Sequence, residues 1–170
     1  MPKTFVMSLK KNYYFDLLIL FLIFILDRFS KIYVIYLSEK NNYSQIFSSK
    51  FLDIHLIWNE GIAFGLLSFS ETYFYNLIST IIAIIILVLF LMIIRGKGLK
   101  KLLLISILGG AIGNFYDRIV YKAVPDFIDF HINDFHWFIF NIADIFISIG
   151  VFFMILYEII DNNSEKNEKY

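Results

Sequence analysis

The amino-acid sequence predicts a membrane all-α fold: four transmembrane helices, a small extracytoplasmic β-sheet between helices 1 and 2, and both termini in the cytoplasm. Three observations carry that expectation. Of 170 residues, 59% are hydrophobic and the mean hydropathy is +0.70, more apolar surface than one soluble domain of this size can bury. The apolar residues fall into four runs near the length of about 20 residues that a bilayer requires. The basic residues collect on one side of those runs. A formal net charge of zero argues against a nucleic-acid partner. A chain without cysteine has no disulfide, thiol nucleophile or thiolate-bound metal.

Residues 1–12 carry Lys3, Lys10 and Lys11 and read as a basic cytoplasmic head. Residues 13–37 read as the first span. Their apolar start is signal-peptide-like, but Asp27-Arg28-Phe29-Ser30-Lys31 stands where a small-residue cleavage site would follow. Residues 38–71 form a long polar connection. Within it Leu52, Ile54, Leu56 and Trp58 alternate with Asp53, His55 and Asn59, the period of a strand. Asn59 to Gly65 follows as a turn with two glycines. Residues 72–94 are an uncharged second span, and Arg95, Lys97, Lys100 and Lys101 make a short basic loop. Residues 102–120 are a third span, where Gly109, Gly110 and Gly113 let another helix approach closely. Residues 121–136 read as a second outer loop, 137–159 as the fourth span, and 161–170 as a polar, disordered tail. The positive-inside rule places Lys3, Lys10, Lys11 and the Arg95–Lys101 loop in the cytoplasm. Ten of the fifteen acidic residues then fall at the outer ends or in the outer loops. Residues 13–160 are thus expected to form a single membrane domain.

Asp144 is the only Asp, Glu, Lys or Arg in the apolar run 135–157. A carboxylate in such a run costs about 2.5–3.5 kcal/mol on insertion scales and marks a functional site that needs a partner. Asp117, Asp126, Asp129 and Asp134 are the candidates. Two carboxylates held close share one proton, so one acts as base on a water while the other acts as acid. Asp117 is followed by Arg118 and has Lys31 in reach, and cations would keep it ionised. Asp126 lies among Pro125, Phe127 and Ile128, surroundings that permit a shared proton, so the chemistry favours Asp126. Asp117 then becomes a structural residue paired with Arg118 or Lys31. Asp27 and Lys31 share a helix face, as do Gly110, Asn114 and Asp117; Asn141 lies one turn before Asp144. His55, His131 and His136 read as scattered over loops, and neither a His-Glu-x-x-His nor a Gly-x-Ser-x-Gly motif is present. No metal or cofactor is expected. The rival reading is a small ion-coupled transporter with an acidic relay. Against it, the acids gather at one interface and no inverted repeat is visible.

Five pieces in order, Asp27-x-x-x-Lys31, Asn59-x-Gly61-x-Ala63-Phe64, Gly109-Gly110-Ala111-x-Gly113-Asn114-x-x-Asp117-Arg118, Asp126-Phe127-Ile128 and Phe140-Asn141-x-Ala143-Asp144, resemble the bacterial lipoprotein signal peptidases, signal peptidase II. The resemblance implies an aspartic endopeptidase of the bacterial inner membrane. Such an enzyme cuts prolipoproteins just before their diacylglyceryl-cysteine and is inhibited by the cyclic peptide globomycin. It implies Asp126 and Asp144 as the catalytic pair and Asn114 and Asn141 as orienting residues. Asp27, Lys31, Asn59, Gly109, Gly110 and Arg118 are implied as supporting residues. A periplasmic sheet, the cradle, is implied over about 38–66. The expected partners are prolipoprotein substrates and membrane lipids, with the enzyme itself a monomer. Pro125 departs from the family pattern, where Val or Thr is more familiar.

Overall fold

The computed structural model describes residues 13–42, 44–61, 71–133 and 135–167. Four helices and four strands follow in the order α1 (Tyr13–Lys40), β1 (Phe47–Ser48), β2 (Leu52–Asn59), α2 (Glu71–Arg95), α3 (Gly98–Tyr121), β3 (Val124–Ile132), β4 (Phe135–Phe140) and α4 (Ile142–Asn167). The basic head, Ala63, Phe64, Gly65 and Asp134 lie outside the described residues.

Three of the helices contain segments long and apolar enough to cross a membrane: Tyr75–Arg95, Gly98–Tyr121 and Ile142–Asp161. A helix is the natural form for such runs, because it satisfies every backbone polar group without water. α3 is the central element, packed against α1, α2 and α4. Its span is 39% buried, against 6% for that of α2 and 11% for that of α4. Leu89, Leu104 and Leu108 form the apolar core between α2 and α3, with Leu20, Ile107, Ile112 and Met154 around them. The outward faces remain apolar, as at Leu87, Val88, Phe152 and Ile155, and suit lipid rather than water. Ion pairs Lys101–Asp16 and Lys100–Glu158 tie the helices together at the basic end.

The helices meet closely where α3 carries glycine. A Cβ on Gly110 would lie 2.4 Å from the Ala143 carbonyl oxygen of α4, and one on Gly113 would lie 2.6 Å from Asp27 Oδ2. α3 stops at Lys122, which adopts a left-handed conformation with φ 61°, and the chain turns into β3.

The sheet departs from expectation. It has four antiparallel strands in the order β1-β2-β3-β4, so it draws on both connections expected to face outward and is not confined to 38–66. The segment read as a second outer loop, 121–136, is largely β3. The fourth helix begins at Ile142 and not at 137, because Phe135–Phe140 is strand β4. The tail read as disordered from 161 continues α4 to Asn167. Pro125 is tolerated because β3 there pairs only with β2, opposite Trp58, leaving one strand edge where no N–H is needed.

Candidate active site

The site lies at the joint between the sheet and the helices. β3 carries Asp126 and β2 carries Asn59 on the same face, one diagonal position apart. The Asn59 amide donates to Asp126 Oδ2 at 2.8 Å. Its own oxygen accepts from the Gly61 N–H at 2.8 Å, a tight turn completed by the positive φ of 81° at Gly61, which glycine adopts without strain.

Asn141 caps α4. Its side-chain oxygen accepts the Asp144 N–H at 3.1 Å, and Asp144 Oδ2 accepts the Asn141 N–H at 3.1 Å, a reciprocal capping box. The Asn141 amide nitrogen is thereby turned outward, where it donates to Asp126 Oδ1 at 2.6 Å. One asparagine therefore couples the two aspartates. Asp144 thus sits in the first turn of α4. Asn114 on α3 donates to Asp144 Oδ1 at 2.7 Å and accepts from Lys31 Nζ at 2.7 Å.

Behind Asn114 lies a buried ionic cluster. Lys31 contacts Asp27 at 2.9 Å and Asp117 at 2.7 Å. Arg28 holds both oxygens of Asp117, one of them at 2.6 Å, and reaches Asp27 at 2.9 Å. Asp27, Lys31 and Asp117 are fully buried. Their charges with Arg28 sum to zero, which makes the burial tolerable. Asp27 Oδ1 also accepts the Ala143 N–H at 3.1 Å, so an anion satisfies a free donor at the N-terminus of α4.

Burial is the main influence on Asp126 and pushes its carboxyl above the usual range, with the charge of Asp144 adding to the effect; the amides of Asn59 and Asn141 oppose it. A groove of about 550 Å³ lined by Phe138, Ile139, Phe140, Asp144, Ile145, Ser148 and Ile149 opens beside Asp144, room for an apolar extended segment.

Most of the sequence-predicted residues therefore converge. Asp126, Asp144, Asn59, Asn114 and Asn141 form one network, and Asp27, Lys31 and Asp117 support it from behind. Gly110 acts through helix contact, and Gly109 does the same against Ile23. Arg118 is a correction: it does not pair with Asp117. Its buried Nε and Nη1 have no hydrogen-bond partner among the described residues, and a Cβ on Gly61 would lie 2.8 Å from its Nη1. Asp117 pairs with Lys31, the other partner expected for it, and also with Arg28, a residue not singled out from the sequence. An aromatic box was the missing signal: Arg28 lies over Tyr116, 4.9 Å from the ring centroid, and near Phe24. Asp129 has the opposite strand parity to Asp126 and faces away from the site. The histidines are not scattered over loops; His55, His131 and His136 lie on β2, β3 and β4.

Comparison with known proteins places this arrangement. A family model described as signal peptidase (SPase) II matches residues 19–160. The lipoprotein signal peptidase of Pelagibacter ubique (strain HTCC1062) is 49% identical over 159 residues, covering 94% of this chain and 96% of that protein. That of Anaplasma marginale (strain Florida) is 37% identical, covering 81% and 80%. A solved bacterial membrane enzyme, determined by the in meso method at 2.3 Å resolution, superposes with a TM-score of 0.65 at 30% identity, covering 89% of this chain and 90% of that one. The transporter reading has no support among these relatives. With its multi-pass helices, surface sheet and paired aspartates, the chain belongs to the signal peptidase II family of membrane proteases.

Proposed function

We propose that Asp126 and Asp144 are the catalytic dyad of an enzyme that removes the signal peptide of lipid-modified prolipoproteins, cutting just before the diacylglyceryl-cysteine. The observation that carries this reading is the Asn141 side chain. It bonds Asp126 with one end and the backbone of Asp144 with the other, which ties both aspartates to one side chain; carboxylates held near each other favour sharing one proton. Asp117 is the poorer partner, since Arg28 and Lys31 occupy its oxygens.

In the proposed reaction the pair carries one proton, written here on Asp126. Asp144 takes a proton from water as the water oxygen adds to the scissile carbonyl. Asp126 gives its proton to the carbonyl oxygen, and a tetrahedral diol forms. Return of a proton to the amide nitrogen breaks the C–N bond. The signal peptide's apolar segment fits the groove beside Asp144, and the acyl chains of the substrate remain in lipid.

α1 is the fourth span in this reading. At 28 residues it is about 42 Å long. Its outward side shows Leu17, Leu18, Phe21, Leu22 and Ile25, while its mid-helix charges are buried and paired. The distribution of basic residues favours both termini on the cytoplasmic side and the sheet and dyad at the periplasmic face of the inner membrane. Lipids and prolipoproteins are the partners, and the enzyme acts as a monomer.

The test is Asp126→Asn and Asp144→Asn in cells and in purified form. Each variant inserts and folds, loses about 10²–10⁴-fold or more in cleavage rate, and leaves lipid-modified prolipoprotein uncut. Processing by either variant at near the wild-type rate would overturn the dyad.

A further inference from the structure

Asp129, His131 and His136 form a second cluster, on the opposite face of β3 from Asp126. Strand register brings them together. His131 stands directly opposite His136, and Asp129 directly opposite Asp53. The two imidazoles stack with centroids 5.0 Å apart. His136 Nδ1 lies 2.8 Å from Asp129 Oδ2. One ligand-type atom from each of the three residues falls within 4.8 Å of the others.

Two of these groups are buried and unsatisfied. Asp129 is 2% exposed and His131 is 9% exposed, yet Asp129 Oδ1 and His131 Nδ1 have no hydrogen-bond partner among the described residues. Buried polar atoms without a partner are rare and need an explanation. Asp129 makes no ion pair with lysine or arginine among the described residues; its neighbour is the His136 ring. Across the strand, Asp53 Oδ1 is also buried without a hydrogen-bond partner among the described residues, while Ser48, Ser49 and Gln45 hold the Asp53 carboxylate from the side of β1. The cluster therefore has two carboxylates, two imidazoles and a deficit of positive charge.

We propose that Asp129, His131 and His136 bind one divalent transition metal ion of the zinc class, with Asp53 or water as the fourth ligand. Two imidazole nitrogens and a carboxylate oxygen are a donor set that suits Zn²⁺. Tetrahedral bonds of about 2.0–2.1 Å need ligand atoms about 3.3 Å apart; small rotations of the three side chains close the distance. The ion takes the Nδ1 lone pair of His136, whose ring proton then sits on Nε2. The half-exposed His136 side chain gives the ion a path from solvent. Bound there, the metal cross-links β3 to β4 beyond their turn. It does not touch the dyad, so it is a structural site and takes no part in peptide cleavage.

The test uses the full chain in detergent, without a histidine tag, stripped with chelator and desalted. Zn²⁺ is titrated against a fluorescent zinc indicator, and Co²⁺ is added separately to read the visible bands of a tetrahedral site. The wild type binds about one Zn²⁺ per chain and melts at a higher temperature with it. His131→Asn and His136→Asn each weaken binding by about 100-fold or more and lose the Co²⁺ bands, while His55→Asn binds as the wild type does. Retained prolipoprotein cleavage shows that each variant is folded. Should His131→Asn fail to fold, the half-exposed His136 decides. Absence of stoichiometric binding by the wild type, or unchanged binding by His136→Asn, would overturn the site.

Discussion

Gly110→Ala tests how finely the helices position Asp144. The added Cβ would lie 2.4 Å from the Ala143 carbonyl oxygen and 2.8 Å from Ile147 Cγ1. The carbonyl is backbone and cannot rotate away, so α4 must separate from α3. Ordinary contact begins at 3.4 Å, so the opening is about 1 Å at the residue next to Asp144. The Asn114–Asp144 hydrogen bond, 2.7 Å long, would stretch beyond bonding range. A misplacement of about 1 Å costs roughly 100-fold in rate, which is about 2.7 kcal/mol of barrier. Overpacking adds a stability loss of about 1–3 kcal/mol. The assay is steady-state cleavage of a lipid-modified substrate, reading kcat apart from KM, with thermal unfolding alongside. Gly150→Ala is the control. It crowds the same helix pair, with its Cβ 2.6 Å from Ile107 Cγ1, but further along α4 from the dyad. It should lose stability and keep kcat. A Gly110→Ala enzyme that cleaves at the wild-type rate, or a Gly150→Ala enzyme that loses as much kcat, would refute the reasoning.

Two further outcomes are expected. Asp117→Asn leaves Arg28 and Lys31 with Asp27 alone, an uncompensated buried charge that costs about 3–5 kcal/mol; its melting temperature should fall, and its remaining activity should track the folded fraction. A fully stable but inactive Asp117→Asn would instead make Asp117 the partner of Asp144. The raised carboxyl of Asp126 also predicts a pH effect. Above the unfolded carboxylate range near pH 4, the unfolded chain releases this proton while the folded one retains it. Stability therefore falls as pH rises through that window. Asp126→Asn lacks the titration but sets its amide N–H against the Asn59 or Asn141 donor, so it starts less stable than the wild type at low pH, and the gap should narrow as pH rises above about 4. An equal difference at all pH values would count against the burial of this carboxyl as the cause.

What could be read from the chain depended on how local the signal was. Asp27 and Lys31 are four apart on one helix, and Gly110, Asn114 and Asp117 share a face, so helical spacing alone grouped them. The strand β2 showed its alternation. β4 did not: Phe135-His136-Trp137-Phe138-Ile139-Phe140 runs straight into the apolar start of α4, and hydropathy cannot divide a strand from the helix it precedes. A local signal was present. Asn141 and Asp144 have the spacing of a capping box, which places a helix start at 142 and turns the preceding apolar residues into something else. The histidine cluster was illegible for another reason. Its members meet only through the β3–β4 register, and register is a property of pairing, not of either strand. Arg28 was hidden by its neighbours, because Asp117 is adjacent to Arg118 in sequence but on a helix adjacent residues point about 100° apart.

The three asparagines explain why four buried charges persist in a membrane protein. A dyad at the bilayer edge needs hydrogen-bond donors that stay turned toward it. Each amide here has its oxygen facing a group that can only donate: the Gly61 N–H for Asn59, the Asp144 N–H for Asn141, and the Lys31 ammonium for Asn114. Rotating any of them by half a turn would set donor against donor and oxygen against carboxylate. Each rotation forfeits two hydrogen bonds, about 1 kcal/mol apiece or more with a charged partner, and adds repulsion in a low-dielectric site. The amides are therefore fixed in one sense. Apolar residues in place of Asp27, Arg28, Lys31 and Asp117 could pack as well and even raise stability. They would also remove the ammonium that turns Asn114 toward Asp144, so the ionic cluster acts as the lock on a donor that touches the dyad.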